Sequence, residues 1–157
     1  MRVLVVGRSR SGTTILRDIL SSHKDVWITN ELRTYNIVED KKDTPYHCVS
    51  VKDSAEEYFR FVGNKIQNNY HKLYKKFDKN IFQQECMKNL KGNTLINKLE
   101  ALETVLFENR FKIFGDKTGI AYDIFETLIK NNINFKVIHI YRDGRDVAFS
   151  YAEQCRV

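Results

Sequence analysis

Several short stretches of the chain carry residue types that can do chemistry. In Arg10-Ser11-Gly12-Thr13-Thr14 a cation and three hydroxyls surround a glycine, just past the β-branched run Val3-Leu4-Val5-Val6 and Gly7. A strand that ends in a glycine-bounded loop and leads into a helix aims backbone N–H groups and the positive end of a helix dipole at one spot. Such a spot binds anions, phosphate above all. Gly7 and Gly12 have the spacing of the nucleotide loop G-x-x-x-x-G-K-[ST], but Thr13 stands in the lysine place and the cation has moved inside the loop, to Arg10. In Asn30-Glu31-Leu32-Arg33 the Glu31 carboxylate is a candidate general base, able to take a proton from an attacking hydroxyl. Phe111–Thr118 reads as a short strand followed by a turn, where Lys117 adds a second cation and Asp116 could be mistaken for a Walker B acid. Arg142–Tyr151 again aims an arginine and a helix N-terminus at an anion, and Ser150, two turns into that helix, lies on a face that can return toward Arg142. His139 is the competing base, expected to be less accessible because it sits within a strand.

These residues need elements to position them. The pattern predicts a buried strand at 3–6 and a helix in which Ile15, Leu16, Ile19 and Leu20 form the apolar face and Arg17 and Asp18 the polar one. A second strand is predicted at 26–29, which puts Glu31 just past its end. In an open parallel sheet, ligands sit outside the carboxyl ends of the strands. Residues 41–53, with the only proline, Pro45, read as a loop. Ser54-Ala55-Glu56-Glu57 resembles a helix cap, and Tyr58, Phe61, Val62, Ile66, Tyr70, Leu73, Tyr74 and Phe77 recur at helical spacing as core or lid packing. Further helices are predicted at 82–90, 94–107 and 122–130, the last ended by Asn131-Asn132, with a strand at 135–141. The fold class expected is α/β, a central parallel sheet flanked by helices, of the P-loop nucleotide-binding type.

A chain of 157 residues suits a single domain, 1–157, and 42% hydrophobic with 29% charged residues is an ordinary globular balance. The net charge of +6 favours an anionic partner, and no nucleic-acid partner is read from it; Lys72, Lys75, Lys76 and Lys79 read as a solvated helix face. Cys48, Cys86 and Cys155 are odd in number and widely spaced, without a metal-ligand pattern, and read as reduced thiols of a cytoplasmic protein. No apolar run is long enough for a membrane span.

Arg10-Ser11-Gly12-Thr13-Thr14 resembles the 5′-phosphosulfate loop of sulfotransferases that use 3′-phosphoadenosine 5′-phosphosulfate (PAPS). The stretch from Ser22-His23-Lys24-Asp25-Val26 to Glu31-Leu32-Arg33 is similar to the tyrosylprotein branch and its bacterial relatives. The resemblance implies that the loop residues cradle the 5′-phosphosulfate and that Glu31 is the catalytic base, with Arg33 matching a nearby arginine of that motif. It implies that Lys117, in Gly115-Asp116-Lys117-Thr118, contacts the bridging oxygen that leaves; Gly119 replaces the proline usual there. It implies that Arg142 and Ser150 hold the 3′-phosphate. The expected activity is sulfuryl transfer from PAPS, as co-substrate and without a metal, to a hydroxyl or amine acceptor (sugar, protein tyrosine or small molecule) by in-line displacement. Members of the family continue beyond the equivalent of Val157, so a C-terminal truncation is expected. Two alternatives stay open: an ATP-dependent P-loop phosphotransferase, and a non-catalytic nucleotide-binding remnant.

Overall fold

Val3, Leu4, Val5 and Val6 are all buried, so successive side chains are covered on both faces of β1 (Arg2–Gly7), as in the interior strand of a parallel sheet. In the computed structural model β1 lies between β5 (Ile113–Thr118) and β6 (Lys136–Ile140), with β2 (Val26–Asn30) outside β5. The order is β2-β5-β1-β6 and every pairing is parallel. The structure describes residues 1–31, 35, 37–38, 49–70, 78–107, 111–118 and 122–154. Leu32, Arg33, Pro45, Cys48, the lysines at 72, 75 and 76, Leu73, Tyr74, Phe77, Gly119 and Cys155 lie outside the described residues.

The chain divides into two compact units. The first comprises Met1–Glu31, Lys112–Ala121 and Phe135–Val157 and holds the four-stranded sheet with α1 (Thr13–Ser21) and α6 (Gly144–Gln154). Its core is Val3, Val5 and Ile28, against which Leu16, Leu20, Val26, Ile113 and Ile138 pack. The apolar face of α1 is therefore narrower than its sequence suggests. Leu16 and Leu20 face the sheet, while Ile15 and Ile19 are 67% and 62% exposed, because a helix lying over a flat sheet buries one stripe only. Ser21 ties α1 to β2 by accepting from the Ile28 N–H at 3.1 Å. Gly115 allows β5 to lie against β1: a Cβ there would sit 1.7 Å from the Val3 carbonyl oxygen.

The second unit comprises Leu32–Phe111 and Tyr122–Asn134. It packs α2 (Ala55–Tyr70), α3 (Lys79–Asn89) and α4 (Leu95–Phe107) together, with α5 (Tyr122–Lys130) beside a small parallel ladder of β3 (Ile37–Val38) and β4 (Val49–Ser50). The expected loop at 41–53 thus holds a strand, β4, too short to show a period in the sequence. The cap of α2 is a full capping box: Ser54 Oγ accepts from the Glu57 N–H at 3.2 Å, and Glu57 accepts from the Ser54 N–H at 2.9 Å. Tyr58, Val62 and Ile66 are buried, as their spacing predicts. Cys86 is buried in α3, and burial, with Glu85 beside it, pushes its thiol up to about 12. Asn132, at φ 55, ends α5 as Asn131-Asn132 predicts, its left-handed backbone closing the last turn.

Gly115→Ala should lower the unfolding free energy by about 3 kcal/mol or more, since backbone atoms of β1 would have to move. A urea melt showing a loss under about 1 kcal/mol would contradict the close approach of β5 and β1.

Candidate functional site

Parallel strands bring their carboxyl ends to one edge of the sheet, and each of the four strands ends next to one of the charged candidates. Glu31 follows β2, Lys117 lies near the end of β5, Arg10 follows β1 and Arg142 follows β6. All belong to the first unit. The Gly-Asp-Lys-Thr stretch is not a turn, as the sequence suggests, but the last part of β5, which runs through Thr118. Lys117 is consequently held by the ladder, level with Asn30 on β2 and Val5 on β1.

Lys117 Nζ donates to Glu31 Oε1 at 2.5 Å. The lysine side chain is 9% exposed and the carboxylate 52%, so a nearly buried ammonium reaches out to a solvent-facing acid. The main chain repeats the link, the Glu31 N–H donating to the Lys117 carbonyl at 2.9 Å. Glu31 has φ 55, the left-handed region that side chains other than glycine and asparagine rarely adopt. Two contacts to one lysine hold it there. Beneath this pair, on the other face of the sheet, Asp116 is fully buried and its Oδ1 accepts from Thr29 Oγ1 at 2.7 Å. The same hydroxyl lies 3.0 Å from the Gly115 carbonyl oxygen. Thr29 and Asp116 are register partners, so the contact locks β2 against β5 one residue before Lys117.

The loop after β1 turns through two left-handed residues, Arg10 at φ 70 and Gly12 at φ 94. Gly12 is the N-cap of α1 and no side chain caps that helix, leaving the N–H groups of the first turn to face the loop. Ser11 and Thr13 are buried and Thr14 is exposed. A Cβ at Gly7 would lie 2.6 Å from the Ile140 carbonyl oxygen and 2.7 Å from Thr13 Cγ2, so glycine lets the loop start against β6.

The far motif meets this loop, with a different pairing from the one the sequence suggests. Arg10 Nε donates to Ser150 Oγ at 2.9 Å across 140 residues of chain. Arg142, just before α6, pairs with Asp146 in the first turn of that helix, Nε to Oδ2 at 3.4 Å, and not with Ser150. Asp143 begins α6 by accepting from the Arg145 N–H at 2.9 Å, and the Arg145 guanidinium holds its carboxyl below the usual carboxylate range. A cavity of about 390 Å³ opens beside the loop, lined by Ser11 and Arg142 together with Arg8, His139, Tyr141 and Tyr151. That volume is within the range of small-molecule sites. The sequence pattern does not single out Arg8 or Tyr151. A second arginine in the same glycine-bounded loop was the signal for Arg8; nothing in the local pattern marks Tyr151. His139 is exposed, against expectation, because β6 is an edge strand of the described sheet.

Among the described residues no group of His, Cys, Asp and Glu side chains could hold a metal ion, and no helix is long and apolar enough to cross a membrane. Residues 2–155 match the family described as "Sulfotransferase family". No curated protein and no solved structure matches.

Thr29→Val keeps the shape of the side chain and removes the hydroxyl that Asp116 accepts from. It should cost about 1–3 kcal/mol of stability, the usual penalty when a buried acceptor loses a partner. Denaturant unfolding of the variant at parental stability would show that this contact does not join β2 to β5.

Proposed function

The chain belongs to the sulfotransferase family, and from that membership we propose that it transfers a sulfuryl group from PAPS to a hydroxyl or amine acceptor by in-line displacement. The observation that carries the reading is the convergence of Arg10, Glu31, Lys117 and Arg142 at the carboxyl ends of four parallel strands. A central parallel sheet flanked by helices is consistent with the P-loop type of fold, and we read the chain as a single sulfotransferase-like domain.

In the proposed reaction Arg10, Ser11, Gly12, Thr13 and Thr14 cradle the 5′-phosphosulfate, Arg10 by charge and the loop by hydroxyls and N–H groups. Glu31 takes the proton of the acceptor as the acceptor oxygen or nitrogen forms its bond to sulfur. The bond between sulfur and the bridging oxygen breaks, and the electron pair stays on the 5′-phosphate of the departing adenosine 3′,5′-bisphosphate. Lys117 and Arg10 neutralise the charge that develops on that oxygen, an electrostatic stabilisation set in place before the reaction. Arg142 and Ser150 hold the 3′-phosphate. These fixed cations take the place that magnesium has in kinases, so no metal is required. The 2.5 Å pair of Lys117 and Glu31 supports the assignment of both, since it puts the proposed base and the proposed acid-side cation within one contact of each other. Binding of donor and acceptor replaces that pair: the ammonium turns to the bridging oxygen and the carboxylate to the acceptor.

Arg142→Ala should weaken adenosine 3′,5′-bisphosphate much more than adenosine 5′-phosphate, because only the first has a 3′-phosphate to lose. Equal weakening of the two by calorimetry would assign Arg142 another role. In the parent, tighter binding of ATP than of adenosine 3′,5′-bisphosphate would favour the phosphotransferase alternative. Glu31→Gln should lower turnover roughly 10²–10⁴-fold and leave nucleotide affinity nearly unchanged. With the acceptor unknown, PAPS hydrolysis is the first readout, and full activity in Glu31→Gln would remove the base from this position.

A further inference from the structure

Arg8 has no part in the reaction proposed above, yet it stands where a second cation would be of use. It follows Gly7, which is level with Ile140 on β6. Arg8 and Arg142 therefore leave the carboxyl ends of neighbouring strands, which lie about 5 Å apart. Both residues line the cavity beside the loop, and Arg10 does not. Among the described residues that line it there is no carboxylate. Arg8 is exposed, and among the described residues its guanidinium meets no acid. Arg142 is engaged through Nε alone, at 3.4 Å from Asp146 Oδ2. Each guanidinium has five N–H donors, so nearly all of them remain for a ligand. Two like charges that share a cavity repel each other, and an anion bound between them turns that repulsion into attraction to both.

The charge of the ligand decides how many cations it needs. A phosphate monoester carries about −1.5 to −2 near neutral pH, on three free oxygens. One guanidinium leaves about half of that charge unmet, and the Ser150 hydroxyl adds none. We propose that Arg8 is a specificity-determining residue of the donor site: with Arg142 it forms a two-arginine clamp on the dianionic 3′-phosphate. The clamp closes from two strands, β1 and β6, and sets the preference for a nucleotide that carries a monoester at that position. The inference rests on the donor-nucleotide reading of the preceding subsection. It goes beyond that reading by giving the 3′-phosphate a cation from the loop after β1, separate from the Arg10 that serves the 5′-phosphosulfate.

Calorimetric titration with adenosine 3′,5′-bisphosphate and with adenosine 5′-phosphate provides the test. Arg8→Ala should weaken the bisphosphate about 10-fold or more, the worth of a hydrogen bond between charged groups, and adenosine 5′-phosphate less than about 2-fold. Arg8→Lys, which keeps the charge without the planar fork, should recover part of the loss. Equal weakening of the two ligands in both variants would assign Arg8 to the 5′ end and overturn the clamp, and so would parental affinity of Arg8→Ala for the bisphosphate. The two levels of inference separate. If the parent binds the bisphosphate no more tightly than adenosine 5′-phosphate, the 3′-phosphate reading fails and the clamp with it. If Arg142→Ala removes that preference and Arg8→Ala leaves it intact, the clamp alone fails.

Discussion

An ammonium taken out of water has to be met by an opposite charge, since leaving it alone costs several kcal/mol. Lys117 is such a group, and the arrangement of the sheet edge follows from it. Its backbone lies in the ladder between Val5 and Asn30, and its ammonium meets Glu31. Glu31 reaches that place only with a left-handed backbone, which the N–H bond to the Lys117 carbonyl stabilises. Strain of this kind costs about 1–3 kcal/mol and persists where surrounding contacts over-determine it. Here the ion pair, the backbone bond and the Thr29–Asp116 contact one residue earlier all bind β2 to β5.

The same logic governs the other side of β1. Arg10 and Gly12 are both left-handed, so the loop bends sharply enough to present α1 end-on, without a side-chain cap. Glycine accepts that conformation at no steric cost, and arginine does not. The cost at Arg10 is offset by the contact its backbone makes possible, the reach of Nε to Ser150. At both the loop and Glu31, then, a non-glycine residue in a disfavoured conformation carries a charged side chain directed at a specific partner. The two sites are related by the sheet: one flanks β1, the other β5, and the two strands are neighbours.

Much of this was legible in the sequence because it is written locally. The strand of Val3–Val6, the glycine-bounded loop, the cap at Ser54 and the asparagine stop of α5 each depend on a few adjacent residues, and each stands where the pattern puts it. What could not be read depends on tertiary neighbours. Helical spacing does not say that Ile15 and Ile19 look outward, because the sheet is flat and takes one stripe. The glycine at 115 suggests a turn when it in fact permits a close strand pairing. Ser150 is placed by helix period to return toward Arg142, yet Arg142 is satisfied by Asp146 in the first turn of α6, and the hydroxyl goes to Arg10. Sequence spacing fixes which side chains share a face, and competition among polar partners decides which of them meet.

That competition also bears on the choice of base in the proposed reaction. His139 is exposed and lines the cavity beside Ser11, so accessibility does not exclude it. Geometry separates the two candidates. Paired residues of a parallel ladder share a face, and successive residues alternate. Val5 is level with Lys117 on one side and Ile138 on the other, whereas Val6 is level with His139. Lys117 and His139 therefore stand on opposite faces of the sheet. They are also two strand spacings apart, about 9–10 Å. In an in-line displacement the attacking and leaving atoms lie on either side of one sulfur, so the base and the cation at the leaving oxygen must serve the same small volume. Glu31 is already in contact with Lys117. For His139 to replace it, the leaving oxygen would have to be served by Arg8 or Arg142 at the cavity, and Lys117, nearly buried and paired with a solvent-facing carboxylate, would have no part in the reaction.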